Sequence, residues 1–496
     1  MALGSRGGTR GIMKQTLLTL FLLSSGVVVV GQFQGTPTTY GKEQCIILNR
    51  FSPDSGAHYR PKDREKEQGL CSIDFNSPQI GLCPKTWSTS PGTVVYDISN
   101  SQYKGNPSLF EAQYCPRQRQ LKGKIAGVDK LATYKQSVNG QFGQSTSATF
   151  SQASPLYYHF SRYLGTTVDV PVAVMRTMDA QAHLRRVAGR APAMSQGRMI
   201  LAGWNVIISA EKNPAGYMPE NEFYYSEPQH SLLYGTMLKG PGARYGPEFN
   251  GNIAGKGYSQ QYQFMQQTPA FLALTAQKPF TDAVSIGVAS SRKDPVVAKA
   301  LGTTVSSEQM MFWMQELSEI FVLDYIFNQQ DRPGNIDYLW EWYYVTADGK
   351  VQSVRASSEV ARSRMATVRM PAEVQDSPRH FLIQKTQIND NDAGGRRYAN
   401  FSKQFALLPK IRHLNPNTYH QLVVLAADFR AKGPLYNYLQ STFYLSPIYL
   451  DKIAQNTMEA ADILKGSCKA GELRFDLNAE GYIAQQTVEE AAISCE

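Results

Sequence analysis

Apolar positions recur with helical spacing most clearly between residues 307 and 330. There Met310, Met314, Leu317, Phe321 and Tyr325 fall on one face of a 3.6-residue period. Ser306 followed by Gln309 is the pattern of a capping box, and Pro333-Gly334 is the breaker pair expected to end this helix. The pattern then changes period: YLWEWYYV (338–345) reads as an aromatic core strand, Asp348-Gly349 as a hairpin turn, and a return strand follows. A further apolar strand, HFLIQKTQI (380–388), runs into the polar loop NDNDAGG. From about residue 400 the chain reads as helices with loops, including one within HLNPNTYHQLVVLAADFRA.

The first half is strand-rich. LKGKIAGVDKLATYKQSVNGQF reads as short strands broken by glycine, with Asn139-Gly140 as a hairpin signal. PLYYHFSRYL (155–164) reads as a short helix with proline in its first turn, stopped by Gly165, and VDVPVAVMR (168–176) as a strand. Between 190 and 290 the strand-like pieces are Trp204–Ser209 and Ser231–Met237. The order predicts an α+β chain of two lobes, the first β-rich and the second α-rich.

Two features bear on compartment. Thr16–Gly31 is an apolar run preceded by Arg6, Arg10 and Lys14, which reads as a secretory signal peptide over 1–31 with a mature start near Gln32. An uncleaved N-terminal anchor is the rival, and no later segment is apolar enough to span a bilayer. Six cysteines, none in C-x2-C spacing, read as disulfides in an exported chain, against the alternative of buried thiols. Cys468 and Cys495 form the simplest pair, leaving Cys45, Cys71, Cys83 and Cys115 to pair in any of their three ways. Residues 32–120, rich in Pro, Gly and Ser, read as a disulfide-tied, loop-rich region.

Composition narrows the function classes. The 496 residues are 42% hydrophobic and 11% aromatic, enough for a sizeable core, and only 18% charged. The net charge of +9 comes without a run of five Lys or Arg, which argues against a dedicated nucleic-acid binder and leaves room for a basic groove that takes a phosphate-bearing ligand. The histidines form no HxH or HExxH arrangement, and no G-x-S-x-G elbow occurs.

The chemistry-bearing segment is LDYIFNQQDRPGNID, with Asp324, Asp331, Arg332, Asn335 and Asp337. Phosphoryl transfer needs a carboxylate to orient the attacking group, and an amide plus a second carboxylate to hold a divalent metal. Asp331 and Asn335 suit the first two needs, and Asp390 or Asp392 of NDNDAGG the third. Each has a plainer reading: Asp331-Arg332 as an ion pair at a helix end, NDNDAGG as a polar turn or a calcium loop, Lys135 as a solvated lysine.

The helix and loop resemble the catalytic loop of atypical kinases, the group that holds the HipA-type kinases, the phosphatidylinositol kinases and the secretory-pathway kinases of the animal Golgi. Asp324-Tyr325 stands seven residues before Asp331-Arg332, as in that group, and Asp390-Asn391-x-x-Gly394 resembles its Asp-Asn-Gly metal loop. PLYYHFSRYLGTTVDVPVAV resembles its N-lobe helix and following strand, so the likeness runs over roughly 120–430 in element order. The chain departs from the group where Asn335 follows Asp331 by four residues rather than five, where 350–378 reads as an insertion, and where 141–163 holds no Glu to pair with a nucleotide-binding lysine. No Gly-rich nucleotide loop stands out.

The resemblance implies a two-lobed protein-kinase-like fold, with an N-lobe over 121–300 and a C-lobe over 301–496. It also implies ATP with Mg or Mn, Asp331 as base, Asn335, Asp390 and Asp392 as metal ligands, and Lys135 or else Lys124 on the phosphates. As a strand-end lysine, Lys135 is expected to bury little. The implied substrate is a hydroxyl of a protein or glycan, met in a secretory lumen, a periplasm or outside the cell. A catalytically silent kinase-like binding protein and a calcium-binding structural protein are the alternatives.

Overall fold

The structure, a computed structural model, describes residues 33–87, 90–121, 125–136, 150–214, 229–240, 242–295, 297, 305–356, 370–393, 399–485 and 487–495. The apolar run Thr16–Gly31, Lys124, the Asn139-Gly140 turn and Gly394 lie outside the described residues.

The first half builds a sheet from β1 (Gly35–Tyr40), β2 (Glu43–Leu48), β3 (Ile80–Pro84), β4 (Thr93–Asp97), β5 (Asp129–Gln136), β6 (Ala173–Asp179) and β7 (Leu232–Leu238). All pairings are antiparallel, in the order β1-β2-β6-β7-β5-β4-β3. Residues 33–120 thus supply four strands of this sheet, together with helices Asp63–Cys71 and Pro107–Gln113. β3 is buried at every position and β4 at all but its last, so neither shows the period of two that would mark a half-exposed strand. Two bridges pin this segment, Cys45–Cys71 and Cys83–Cys115, and a third, Cys468–Cys495, closes the C-terminal tail; no cysteine is free.

Further helices of this half include α1 (Ala153–Tyr163), α2 (Ala180–Arg186) and α3 (Arg198–Lys212). α3 corrects the strand reading of Trp204–Ser209. Ile200, Gly203, Trp204, Ile207 and Ala210 are buried at helical spacing, and that period overrides the β-branched run Val206-Ile207-Ile208. The expected strand near Ser231–Met237 is β7.

A second sheet joins β8 (Ala243–Arg244), β9 (Ile336–Val345), β10 (Val351–Arg355) and β11 (His380–Ile388). β9 is central, paired with β10, β11 and β8. The long helix α4 (Ser307–Phe327) is capped by the Ser306 hydroxyl accepting the Gln309 N–H at 3.2 Å. From Gln309 onward every residue of α4 is buried, so the helix is a central pillar rather than a one-faced surface helix. Its buried polar side chains are matched: Glu316 meets Lys385 at 2.8 Å, and Glu319 accepts the Val168 N–H at 2.7 Å. α4 ends at Asn328, in the left-handed region at φ 60°, five residues ahead of the Pro333-Gly334 pair that the sequence marks. The longest further helices of the helical half are α5 (Pro416–Ala431) and α6 (Pro447–Lys469). No described helix is long and apolar enough to cross a membrane.

Candidate active site

Four chain segments meet at the junction of sheet and helices. The first is the loop that leaves α4. Gln329 Oε1 accepts the Asp331 N–H at 3.0 Å, Asn335 N–H donates to the Arg332 carbonyl at 2.8 Å, and Asn335 Nδ2 donates to the Asp331 carbonyl at 2.7 Å. These bonds fold 331–335 into a closed turn and leave the Asn335 amide oxygen as the atom it can offer a ligand.

The second is the loop after β11. Ile388 pairs with Ile336 in the β9–β11 ladder, so the residues that follow Ile388 emerge beside those that precede Ile336. Asn389 N–H accordingly bonds the Asn335 carbonyl at 3.1 Å, bringing the two loops together across the intervening hairpin. Asp390 takes a left-handed φ of 47°, uncommon for a residue with a side chain, and the Ala393 N–H closes onto its carbonyl at 3.1 Å.

The third is β5. Lys135 Nζ lies 2.7 Å from Asp390 Oδ1 and 2.5 Å from Asp392 Oδ1. Lys135 is only 4% exposed, against the expectation that a strand-end lysine buries little; the two carboxylates compensate for its desolvation. Burial lowers the lysine's proton affinity, yet Asp390 and Asp392 outweigh it and hold the ammonium above the ordinary range. Burial likewise pushes Asp390 up, but Lys135 and then Lys85 pull it well below the usual carboxylate range.

The fourth is the crossover that follows β7. A methyl group built on Gly242 would lie 2.5 Å from Asp337 Cβ, so the chain passes directly over the β9 start. Gly242→Ala should therefore destabilise by about 1–3 kcal/mol. Gly69→Ala, in a helix with open space at that position, should stabilise by about 0.5–1 kcal/mol; equal shifts on urea unfolding would contradict this packing.

Asp331 is half-buried beside this cluster. Burial, then the nearby Asp390 charge, pushes its carboxyl up to about 6, against smaller opposing effects from Asn335, Arg332 and Arg244. It is thus ionised at neutral pH and near the affinity wanted of a proton acceptor. Tyr258, 42% exposed, borders it.

Arg332 sits wholly inside the site. Its guanidinium bonds both Asp324 oxygens at 2.8–3.1 Å, the Asn335 carbonyl at 3.3 Å, the Asn389 carbonyl at 3.1 Å and Asn391 Oδ1 at 2.9 Å. Its carboxylate partner is therefore Asp324, eight residues back on α4, rather than the adjacent Asp331 as a helix-end pair would require.

Lys135, Asp331, Asn335, Asp390 and Asp392 are thus brought together, whereas Lys124 lies outside the described residues. Three more charges join them. Lys85, just past β3, is held below the ordinary lysine range by burial and by the Lys135 charge. Arg244 on β8 lies 3.3 Å from Asp337 and 3.9 Å from Asp390 Oδ2. Asp337 accepts the Asn389 amide at 2.6 Å. Nothing local marks Lys85 or Arg244; their approach depends on sheet register.

Asp390 and Asp392 direct one oxygen each at a single cationic centre, the arrangement a divalent ion also needs. Among the described residues no three His, Cys, Asp or Glu converge as a complete metal cage. A metal here would draw further oxygens from a phosphate ligand, which is how Mg is usually held. An open cavity of about 490 Å³ under the C-terminal tail, lined by Phe475, Tyr482 and Glu490 among others, shares no residue with this cluster.

No family model matches the chain, and no curated protein matches it. Among solved structures it is similar to the Golgi casein kinase with Mn/ADP bound, at 11% identity and a TM-score of 0.36 over 82% of this chain and 77% of that one. A second structure of the Golgi casein kinase matches at 11% identity and TM-score 0.37, over 84% and 77%. A likeness of this size carries no functional weight.

Proposed function

We propose that this chain is an exported phosphotransferase that moves the terminal phosphoryl group of ATP to a hydroxyl of a protein or glycan. The observation that carries the reading is the meeting of Lys135, Asp390 and Asp392 beside Asp331, from three separate segments. The acceptor hydroxyl oxygen attacks the terminal phosphorus, the bond from phosphorus to the bridging oxygen breaks, and ADP leaves with that electron pair. Asp331 takes the hydroxyl proton and orients the oxygen. Lys135, with Lys85 beside it, places positive charge along the phosphates. Asp390, Asp392 and the Asn335 amide oxygen would hold a Mg or Mn ion, which when bound neutralises phosphate charge. A dedicated calcium loop asks for six or more oxygens around the ion, so the two carboxylates shared with Lys135 suit a phosphate-assisted site better.

Three disulfides and no free cysteine support action in an oxidising lumen or outside the cell, where ATP must be supplied. One observation favours the catalytically silent alternative: α1 carries no Glu, and the partners of Lys135 are the metal-loop carboxylates themselves. Thermal unfolding with ATP, with and without Mg or Mn, tests the shared premise. ATP should raise Tm only when the metal is present, by about 2.7 kcal/mol of stabilisation at a hundred times Kd. Absence of any metal-dependent shift sinks both readings; where the shift is present, labelled-phosphate transfer separates active from silent.

A further inference from the structure

Building on the phosphotransferase reading, we infer that Arg332 is the positioning residue of the site, a rigid fork that fixes the Asp331 turn and the Asp390 loop relative to each other. Its five-donor plane is filled from three directions. One edge grips Asp324 at the end of α4, a second reaches the backbone carbonyls of Asn335 and Asn389, and a third reaches the Asn391 side chain. Each loop thus receives a bond from the same guanidinium, which is itself anchored in the pillar helix. Asp324 is held in turn by the Tyr157 hydroxyl of α1 at 2.9 Å. Phe150 N–H, just ahead of α1, bonds the Asp392 carbonyl at 2.9 Å.

With no Glu on α1 to reach Lys135, the helix is tied to the site through Tyr157 and Asp324. Charge neutralisation of Asp324 alone would need only a point cation. The planar fork supplies directed bonds to both loops, which an ammonium cannot reproduce.

The test compares Arg332→Lys and Arg332→Met with the parent full-length chain. Lysine should restore most of the thermal stability that methionine loses, yet leave kcat down by about 100-fold, the size of effect expected from a displacement near 1 Å. Metal-dependent ATP affinity, read by calorimetry, should change less than about tenfold for Arg332→Lys, since Lys135, Asp390 and Asp392 are untouched. A second readout needs no turnover. Amide hydrogen exchange should quicken together in 329–335 and 389–393 while β9 and α4 stay protected.

If neither Arg332 variant folds, Asn391→Ala, which removes one of the two Arg332 bonds to the second loop along with the Asn391 Nδ2 bond to the Ile388 carbonyl at 3.3 Å, should reproduce the fall in kcat and the faster exchange at 389–393. Parental kcat per folded molecule in Arg332→Lys, or in Asn391→Ala where that is the variant that folds, would overturn the inference alone. A parent chain without metal-dependent ATP binding would remove it together with the phosphotransferase reading.

Discussion

Asp331→Asn should cut phosphate transfer by about 10²–10⁴-fold, the usual worth of a positioned base, while metal-dependent stabilisation by ATP persists. The loop around it gives the reason for that separation. Asp331 binds Gln329 and Asn335 through its own backbone N–H and carbonyl, so changing the side chain leaves the turn closed. The carboxyl sits above its unfolded value, at about 6 against 3.8, so ionising it withdraws stability as pH rises through that window. Above pH 6 the asparagine variant should therefore be at least as stable as the parent, and kcat/KM of the parent should climb through pH about 6. Calorimetry that shows ATP binding lost in step with transfer would assign Asp331 to nucleotide binding instead.

Lys135→Met should have the larger effect on the protein itself. Two carboxylates, Asp392 almost wholly buried, lose the ammonium that neutralises them. Removing one partner of a buried ion pair typically costs about 3–5 kcal/mol. Differential scanning calorimetry in chelator should show that fall, and Mn should recover part of it by taking the same oxygens. The sign with pH follows from Asp390, whose carboxyl lies below its ordinary range. Its contribution is complete above the unfolded carboxylate value and fades as pH drops through the acid range, so the gap between variant and parent should narrow below pH ~4. An unchanged Tm in chelator at neutral pH would mean that Lys135 does not hold these carboxylates together.

The parts of this molecule legible in the sequence are those whose signals are local. The Ser306 cap, the aromatic strand before Asp348-Gly349 and the apolar strand ahead of Asn389 each depend on neighbours a few residues away. So does the close pairing of Asp331 with Asn335. What eluded sequence reading depends on register between distant strands. Lys85 reaches the site because Pro84 pairs with Thr93 and Thr93 with Tyr134, a chain of pairings with no sequence mark. Arg332 is legible as half of an Asp-Arg dipeptide, but its ion-pair partner lies eight residues back in the last turn of α4, beyond a left-handed residue that redirects the chain. The same redirection explains why the Pro333-Gly334 pair overstates the length of α4.

The order of the three disulfides has a consequence for biogenesis. Each joins a cysteine to the next one along the chain, at separations of 26, 32 and 27 residues. A chain entering an oxidising lumen from its N-terminus would expose both members of one pair before either member of the next. Oxidation in order of emergence would then give the native set directly, with little need for thiol exchange to repair mispairing. The two early bridges would form before Lys135 of β5 had even left the ribosome's shelter, giving the sheet edge a head start over the helical half that completes it.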